Sequence, residues 1–63
     1  MKFIQLTCAD GYDIWVNPER IAWMGEDKHK GEIVTRADFD YGCILVKETP
    51  KDIIRTIRLA EEL

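Results

Sequence analysis

The sequence has few of the residues from which reactive sites are built. It contains one histidine, His29, in 63 residues, and its two cysteines, Cys8 and Cys43, form no CxxC pair. Zinc and calcium sites need closely spaced ligands, and a catalytic triad needs a nucleophile beside a base. The four glycines are isolated, which excludes a GxxxxGK[ST] phosphate loop. We therefore predict no enzyme activity, no catalytic or metal residues and no cofactor.

Long apolar runs are also missing from the sequence. No segment approaches the roughly 20 apolar residues of a membrane-spanning helix, and the first residues enter a strand pattern without an apolar leader. We expect a soluble, cytoplasmic protein with no membrane insertion. The two cysteines are expected to be reduced core thiols, with a Cys8–Cys43 disulfide as the alternative.

The charge is mixed and slightly acidic, with a formal net charge of −3. A general nucleic-acid binder needs a basic face to displace phosphate counterions, so nucleic acid is not the expected partner. The one basic cluster, residues 28–30, directly follows Glu26 and Asp27. We interpret segment 26–30 as a solvated turn.

The first two strands are predicted to form a hairpin whose register can be chosen from the pattern. A two-residue turn at Asp10 and Gly11 would place Asp13 on the face of Cys8. A three-residue loop over 9–11, with Gly11 left-handed, makes that face wholly apolar. The resulting pairs are Cys8 with Tyr12, Leu6 with Ile14, and Ile4 with Val16.

The remaining chain predicts three short strands and a helix. The strands cover 21–24, 32–37 and 43–47, separated by a polar loop over 25–31 and a turn over 38–42. The last strand is apolar on both faces, so we expect it to be central or covered. Thr49 is a good N-cap and Pro50 suits the first position of a helix over 50–62. The predicted fold is a single α+β domain (1–63) with an antiparallel sheet of about five strands, a β-meander or an SH3-like barrel, followed by one C-terminal helix.

The helix has a wider apolar arc than one sheet requires. Ile53, Ile57 and Ala60 form a central stripe, Ile54 extends one flank, and Leu59 and Leu63 extend the other. A covering helix needs an arc of about 100° or a little more. The excess predicts contact with a second subunit, and the alternative is a helix end that is partly exposed.

Aromatic residues are the best candidates for a binding surface. In the chosen register Phe3 and Trp15 lie on the hairpin face opposite the core, where an aromatic pair is typical of an interface anchor. The alternative is that this face is covered and that both residues belong to the core. We favour an unidentified protein partner for Phe3 and Trp15, with Leu59 and Leu63 in a homo-oligomer contact.

The whole-chain pattern resembles the short FlbD-like proteins of bacterial flagellar and swarming operons. The matching elements are IQLT at 4–7, Gly11, IWVNP at 14–18, Ile21, GCILVKET at 42–49 and the Ile53-Ile54 pair. This resemblance implies a small non-enzymatic protein tied to flagellar motor function, with no active-site residues to assign. The chain departs from the family at 25–31, at 38–41, and at Trp15 and Trp23.

Two functions follow as hypotheses. The first is a non-enzymatic module that self-associates and acts by binding a partner protein. The second is a phage- or mobile-element-type inhibitor that captures a host protein or a small nucleotide in a pocket between subunits. In that pocket Trp15, Trp23 or Tyr41 would stack on the base, and arginines would meet the phosphate. The candidate arginines are Arg36, Arg55 and Arg58.

Overall fold

The α+β class, the five antiparallel strands and the C-terminal helix are confirmed by a computed structural model that describes residues 2–62. The strands are β1 (Ile4–Thr7), β2 (Asp13–Val16), β3 (Ile21–His29), β4 (Glu32–Phe39) and β5 (Gly42–Val46). A 3-10 turn (Pro18–Arg20) joins β2 to β3, and helix α1 (Pro50–Glu62) follows β5. The strands belong to two sheets, ordered β1-β2 and β3-β4-β5, rather than to the single sheet expected.

The predicted register of the first hairpin is confirmed. Ile4 pairs with Val16 and Leu6 pairs with Ile14. The Cys8 N–H donates to the Tyr12 carbonyl at 2.8 Å across the loop 9–11. Gly11 has φ 105°, a conformation that is readily available to glycine.

The predicted loop over 25–31 is wrong, because β3 continues through it to His29. Gly25 lies opposite Arg36, and the ladder ends at the His29–Glu32 pair. The turn is reduced to Lys30 and Gly31, whose φ values of 51° and 83° are those of a tight hairpin turn. Strand β3 lies at the edge of its sheet, where exposed polar side chains such as Glu26 are compatible with a strand. Strand β4 likewise extends past the predicted end to Phe39.

The C-terminal half of β5 contacts β1 and thereby joins the two sheets. Cys8 and Val46 form a β-bridge. The Ala9 N–H donates to the Leu45 carbonyl at 2.8 Å, and the Lys47 N–H donates to the Thr7 carbonyl at 2.9 Å. Strand β5 was expected to be central or covered, but it is the edge of its own sheet and is covered by β1 at one end.

The hydrophobic core lies where the helix packs against this junction. Ile4, Leu6, Val46 and Ile53 form its buried centre. Six partly buried side chains pack around them: Ile14, Val16, Met24, Ile44, Ile57 and Ala60. The central stripe predicted for the helix therefore faces the core.

The predicted helix cap is confirmed. The Thr49 hydroxyl accepts from the Asp52 N–H at 3.2 Å. The Thr49 carbonyl accepts from the Ile53 N–H at 3.0 Å, and Pro50 begins the helix. Both cysteines are free: Cys8 is half-buried, and Cys43 is exposed rather than in the core, since it alternates with the inward-facing Ile44 on β5.

Glu48 connects the segment between β5 and α1 to strand β1 through hydrogen bonds. Both carboxylate oxygens accept from the Thr7 N–H, at 2.9 and 3.0 Å. The Thr7 carbonyl is used by Lys47, so the two main-chain groups of Thr7 that point away from β2 are both satisfied. A charged acceptor makes such a bond stronger than a neutral one.

We expect Glu48→Ala to destabilise the fold by about 1–3 kcal/mol, because it leaves the Thr7 N–H without its acceptor in a half-buried position. Urea unfolding monitored by tryptophan fluorescence measures the free energy of unfolding. Glu48→Gln retains a neutral acceptor and should lose less. Glu62→Ala, at the exposed end of α1, is the control. Equal stability of Glu48→Ala and Glu62→Ala would contradict the role given to Glu48.

Candidate functional site

Several large apolar side chains are exposed on the surface of the protein. Among the described residues, eight large apolar side chains are exposed: Phe3, Tyr12, Trp15, Trp23, Ile33, Tyr41, Ile54 and Leu59. Single exposed apolar residues are normal, but grouped ones mark binding surfaces. A binding surface is therefore expected where several of these eight side chains lie together.

Trp15 and Tyr41 lie together along one groove of about 360 Å³, which we call the aromatic groove. Its walls are residues 14–16 of β2 and the segment from Phe39 to Ile44 around the β4–β5 turn. Tyr41 stacks on the buried Phe39 ring, with centroids 5.6 Å apart and planes at 26°. Trp15 is 64% exposed and Tyr41 is 84% exposed, so both rings are available to a partner.

The predicted surface residues among the described residues are exposed, and the register of the first hairpin leaves Phe3 and Trp15 on one face. Phe3 is 56% exposed and immediately precedes β1. Leu59 is exposed on α1, and Leu63 lies outside the described residues. Binding through these side chains stays a prediction.

The candidate nucleotide contacts are only partly brought together. The Arg36 guanidinium carbon lies 5.7 Å from the centre of the Trp23 ring, a cation–π arrangement. The Arg36 Nε also donates to Asp38 Oδ1 at 2.9 Å. That hydrogen bond, with the carboxylate charge, raises the pKa of Arg36. The cation of this pair is therefore already engaged by Asp38.

Arg55 and Arg58 lie on the helix and do not share a groove with the aromatic candidates. They line a shallow hollow of about 260 Å³ with Lys51 and Ile54. Arg55 contacts Asp52 at 3.4 Å in an exposed ion pair. Arg55 and Arg58 are both exposed, so their guanidinium groups are accessible from solvent.

A polar contact between the first turn and the end of β3 was not predicted from the sequence. The His29 Nε2 lies 2.8 Å from Asp10 Oδ1, and the Lys30 Nζ lies 3.8 Å from the same oxygen. The hydrogen bond from His29 is the main cause that lowers the pKa of Asp10, and the charges of His29 and Lys30 add to it. His29 is half-buried, not in a solvated loop as expected. The end of β3 lies beside the first turn because the strand extends to His29, beyond its predicted end at residue 24.

Neither a metal site nor a membrane span is found in residues 2–62. No group of three or more histidine, cysteine, aspartate or glutamate side chains in this part of the chain is placed to hold a metal ion. Its helix is too short and too polar to cross a bilayer.

Compared with known proteins, the chain matches no family model, no curated protein and no solved structure. The resemblance to FlbD-like proteins stays a prediction.

The Asp10–His29 contact predicts a specific dependence of stability on pH. Because the folded-state pKa of Asp10 is lowered, its contribution is present above the ordinary value of 3.8 and is lost as pH falls through the folded value. We expect Asp10→Asn to be less stable than the parent protein near neutral pH, with a difference that shrinks below pH 3.8. Urea unfolding across the acid range measures this difference.

His29→Ala provides the matched control for this contact. It removes the largest cause of the shift, so the pKa of Asp10 should rise towards its ordinary value in a carboxyl-carbon NMR titration. An unchanged Asp10 titration in His29→Ala would contradict the contact.

Proposed function

We propose that this protein is a non-enzymatic binding and assembly module that self-associates and acts through a partner protein. The observation that carries the proposal is the aromatic groove, which is lined by the mostly exposed side chains of Trp15 and Tyr41. Aromatic side chains supply large contact areas at low entropic cost and dominate interface energetics. A cytoplasmic setting and a role like that of the FlbD-like motility proteins belong to the same proposal.

The size of the core supports self-association. Among the described residues of this 63-residue chain, seven apolar side chains are buried: Ile4, Leu6, Val34, Ala37, Phe39, Val46 and Ile53. Domains of this size are marginally stable and commonly gain stability from disulfides, metals or partner subunits. Both cysteines are free, and contact with a second subunit would bury further apolar surface.

We also propose that the five strands act as one strongly bent, SH3-like barrel sheet in the order β2-β1-β5-β4-β3. The Cys8–Val46 bridge and its two flanking hydrogen bonds support this continuity. In that order β2 and β3 are the two outer strands. Their free edges are then the places where another chain can add a strand.

Native mass spectrometry of the gently purified protein tests the proposal. We expect a defined multiple of the 7.4 kDa chain that carries no added mass. The dissociation should depend on protein concentration, because the contact is non-covalent. A monomer at every concentration up to about 500 μM, a range that detects even weak association, would contradict self-association.

Nucleotide capture is the second candidate function, and the Trp23–Arg36 arrangement favours it. Its weakness is the Asp38 carboxylate, which occupies Arg36 and would repel a phosphate. We therefore expect no change in tryptophan fluorescence on titration with purine and pyrimidine nucleotides. Quenching that saturates in the parent protein but is absent in Trp23→Leu would establish the nucleotide function instead.

A further inference from the structure

We propose that a second copy of this chain adds to the free edge of β2, with the two β2 strands antiparallel and a twofold axis at Trp15. This inference deepens the proposed self-association and rests on it. The product would be a continuous sheet in which two β1-β2 hairpins meet back to back. The hydrogen-bond register of β2 and the side chains that would face each other support this pairing.

The register leaves main-chain groups of β2 pointing outward. In an antiparallel ladder, hydrogen-bonded and non-hydrogen-bonded pairs alternate. Since the Cys8 N–H donates to the Tyr12 carbonyl, the Leu6–Ile14 pair is hydrogen-bonded, whereas the pairs of Asp13 and Trp15 are not. The N–H and C=O groups of Asp13 and Trp15 therefore point away from β1.

The opposite strand confirms this parity independently. Thr7 lies across from Asp13, and its outward N–H and C=O groups bond to Glu48 and Lys47. The end of β5 and the two residues after it thus cover the outer edge of β1 at Thr7 and Cys8. Strand β2 has no such neighbour, because its sheet in the described residues ends with it.

A twofold axis at Trp15 makes the edge self-complementary. The outward groups of Trp15 would form a reciprocal pair of hydrogen bonds with Trp15 of the second copy. Ile14 would lie opposite Val16 of that copy, which pairs two half-buried apolar side chains. Asp13 would lie opposite Asn17, so no two like charges face each other.

The other outer strand is unsuited to the same contact. Strand β3 carries Glu26, Asp27 and Lys28 in succession, and its ladder is shifted between Ile21 and Trp23. A twofold axis at Asp27 or at Lys28 would bring two like charges directly opposite each other, which is destabilising. Charges and irregularities of this kind are how natural edge strands avoid pairing. An axis at Met24 or Gly25 would avoid such pairs, but it lies beside the shift in the ladder, so β2 is the more regular edge for pairing.

The exposed aromatic side chains offer about half of the area that a standard dimer interface requires. Phe3, Trp15 and Tyr41 are each more than half exposed. At roughly 150–250 Å² per aromatic side chain, they offer about 400 Å² together. A standard interface takes about 800 Å² from each partner. The other walls of the aromatic groove and the paired main chain would supply the remainder.

Two variants test the pairing against a matched control. Trp15→Lys places two ammonium groups on the axis, and Asp13→Pro removes an outward N–H while leaving every β1–β2 hydrogen bond intact. Trp23→Lys is the control, because Trp23 is 54% exposed and lies on the other outer strand. Sedimentation velocity should show about a tenfold or larger rise in the dimer dissociation constant for the first two variants and no rise for the control.

Amide hydrogen exchange of the parent protein gives a readout that needs no variant. The Trp15 amide should become more protected as protein concentration rises, whereas the Thr7 amide is already bonded within the chain and should not change. A dimer that survives both β2 variants, or a Trp15 amide that is unprotected in the dimer, overturns this inference and leaves the proposed function standing. If Leu59→Glu alone dissociates that dimer, the helix is the interface. A parent protein that is monomeric throughout overturns both proposals.

Discussion

The fold depends on the contact between the end of β1 and the end of β5. Without it the chain would be two separate antiparallel pieces, a two-stranded hairpin and a three-stranded meander, and an isolated hairpin is marginally stable in water. The Cys8–Val46 bridge brings Leu6 and Val46 into one core, which Ile53 then covers. Glu48 completes the junction by satisfying the Thr7 N–H at the point where the strand ladder ends and the helix begins.

This arrangement divides the surface into protected and open parts. The end of β5 covers β1 at Thr7 and Cys8, and β3 carries charged residues along its edge. Within residues 2–62, no strand pairs with the outer main-chain groups of β2 beside Trp15. The aromatic groove borders the same strand. Exposed aromatic area and an open strand edge therefore coincide in one region, which is why self-association is the function that the geometry supports best.

Local patterns in the sequence predict the hairpin and the helix well. The strict alternation of 4–8 and 12–16 fixes the register, and the Thr49-Pro50 step fixes where the helix begins. The predicted β3 is shorter than the observed strand, because Gly25 and the charged residues after it are typical of a loop. Those residues are tolerated in a strand only because it lies at an edge, and edge position is a property of the whole sheet.

The sequence predicts individual residues of the candidate site, but it does not predict that they line one groove. Trp15 and Tyr41 were each recognised, but their common groove needs the β4–β5 turn to lie beside β2, which no local pattern indicates. The Asp10–His29 contact is not predicted for the same reason, because a strand that ends at residue 24 does not bring His29 beside the first turn. Long-range contacts of this kind follow from topology rather than from spacing.

The Thr7–Glu48 bond has a consequence for how the chain is made. Its partners are 41 residues apart, so the core cannot close until most of the chain has left the ribosome. Until then the first hairpin has two unpaired edges instead of one. An emerging chain on a crowded polysome is thus exposed to strand pairing with its neighbours before β5 arrives. The order in which the strands are synthesised therefore affects the risk of intermolecular strand pairing, in addition to the stability of the folded protein.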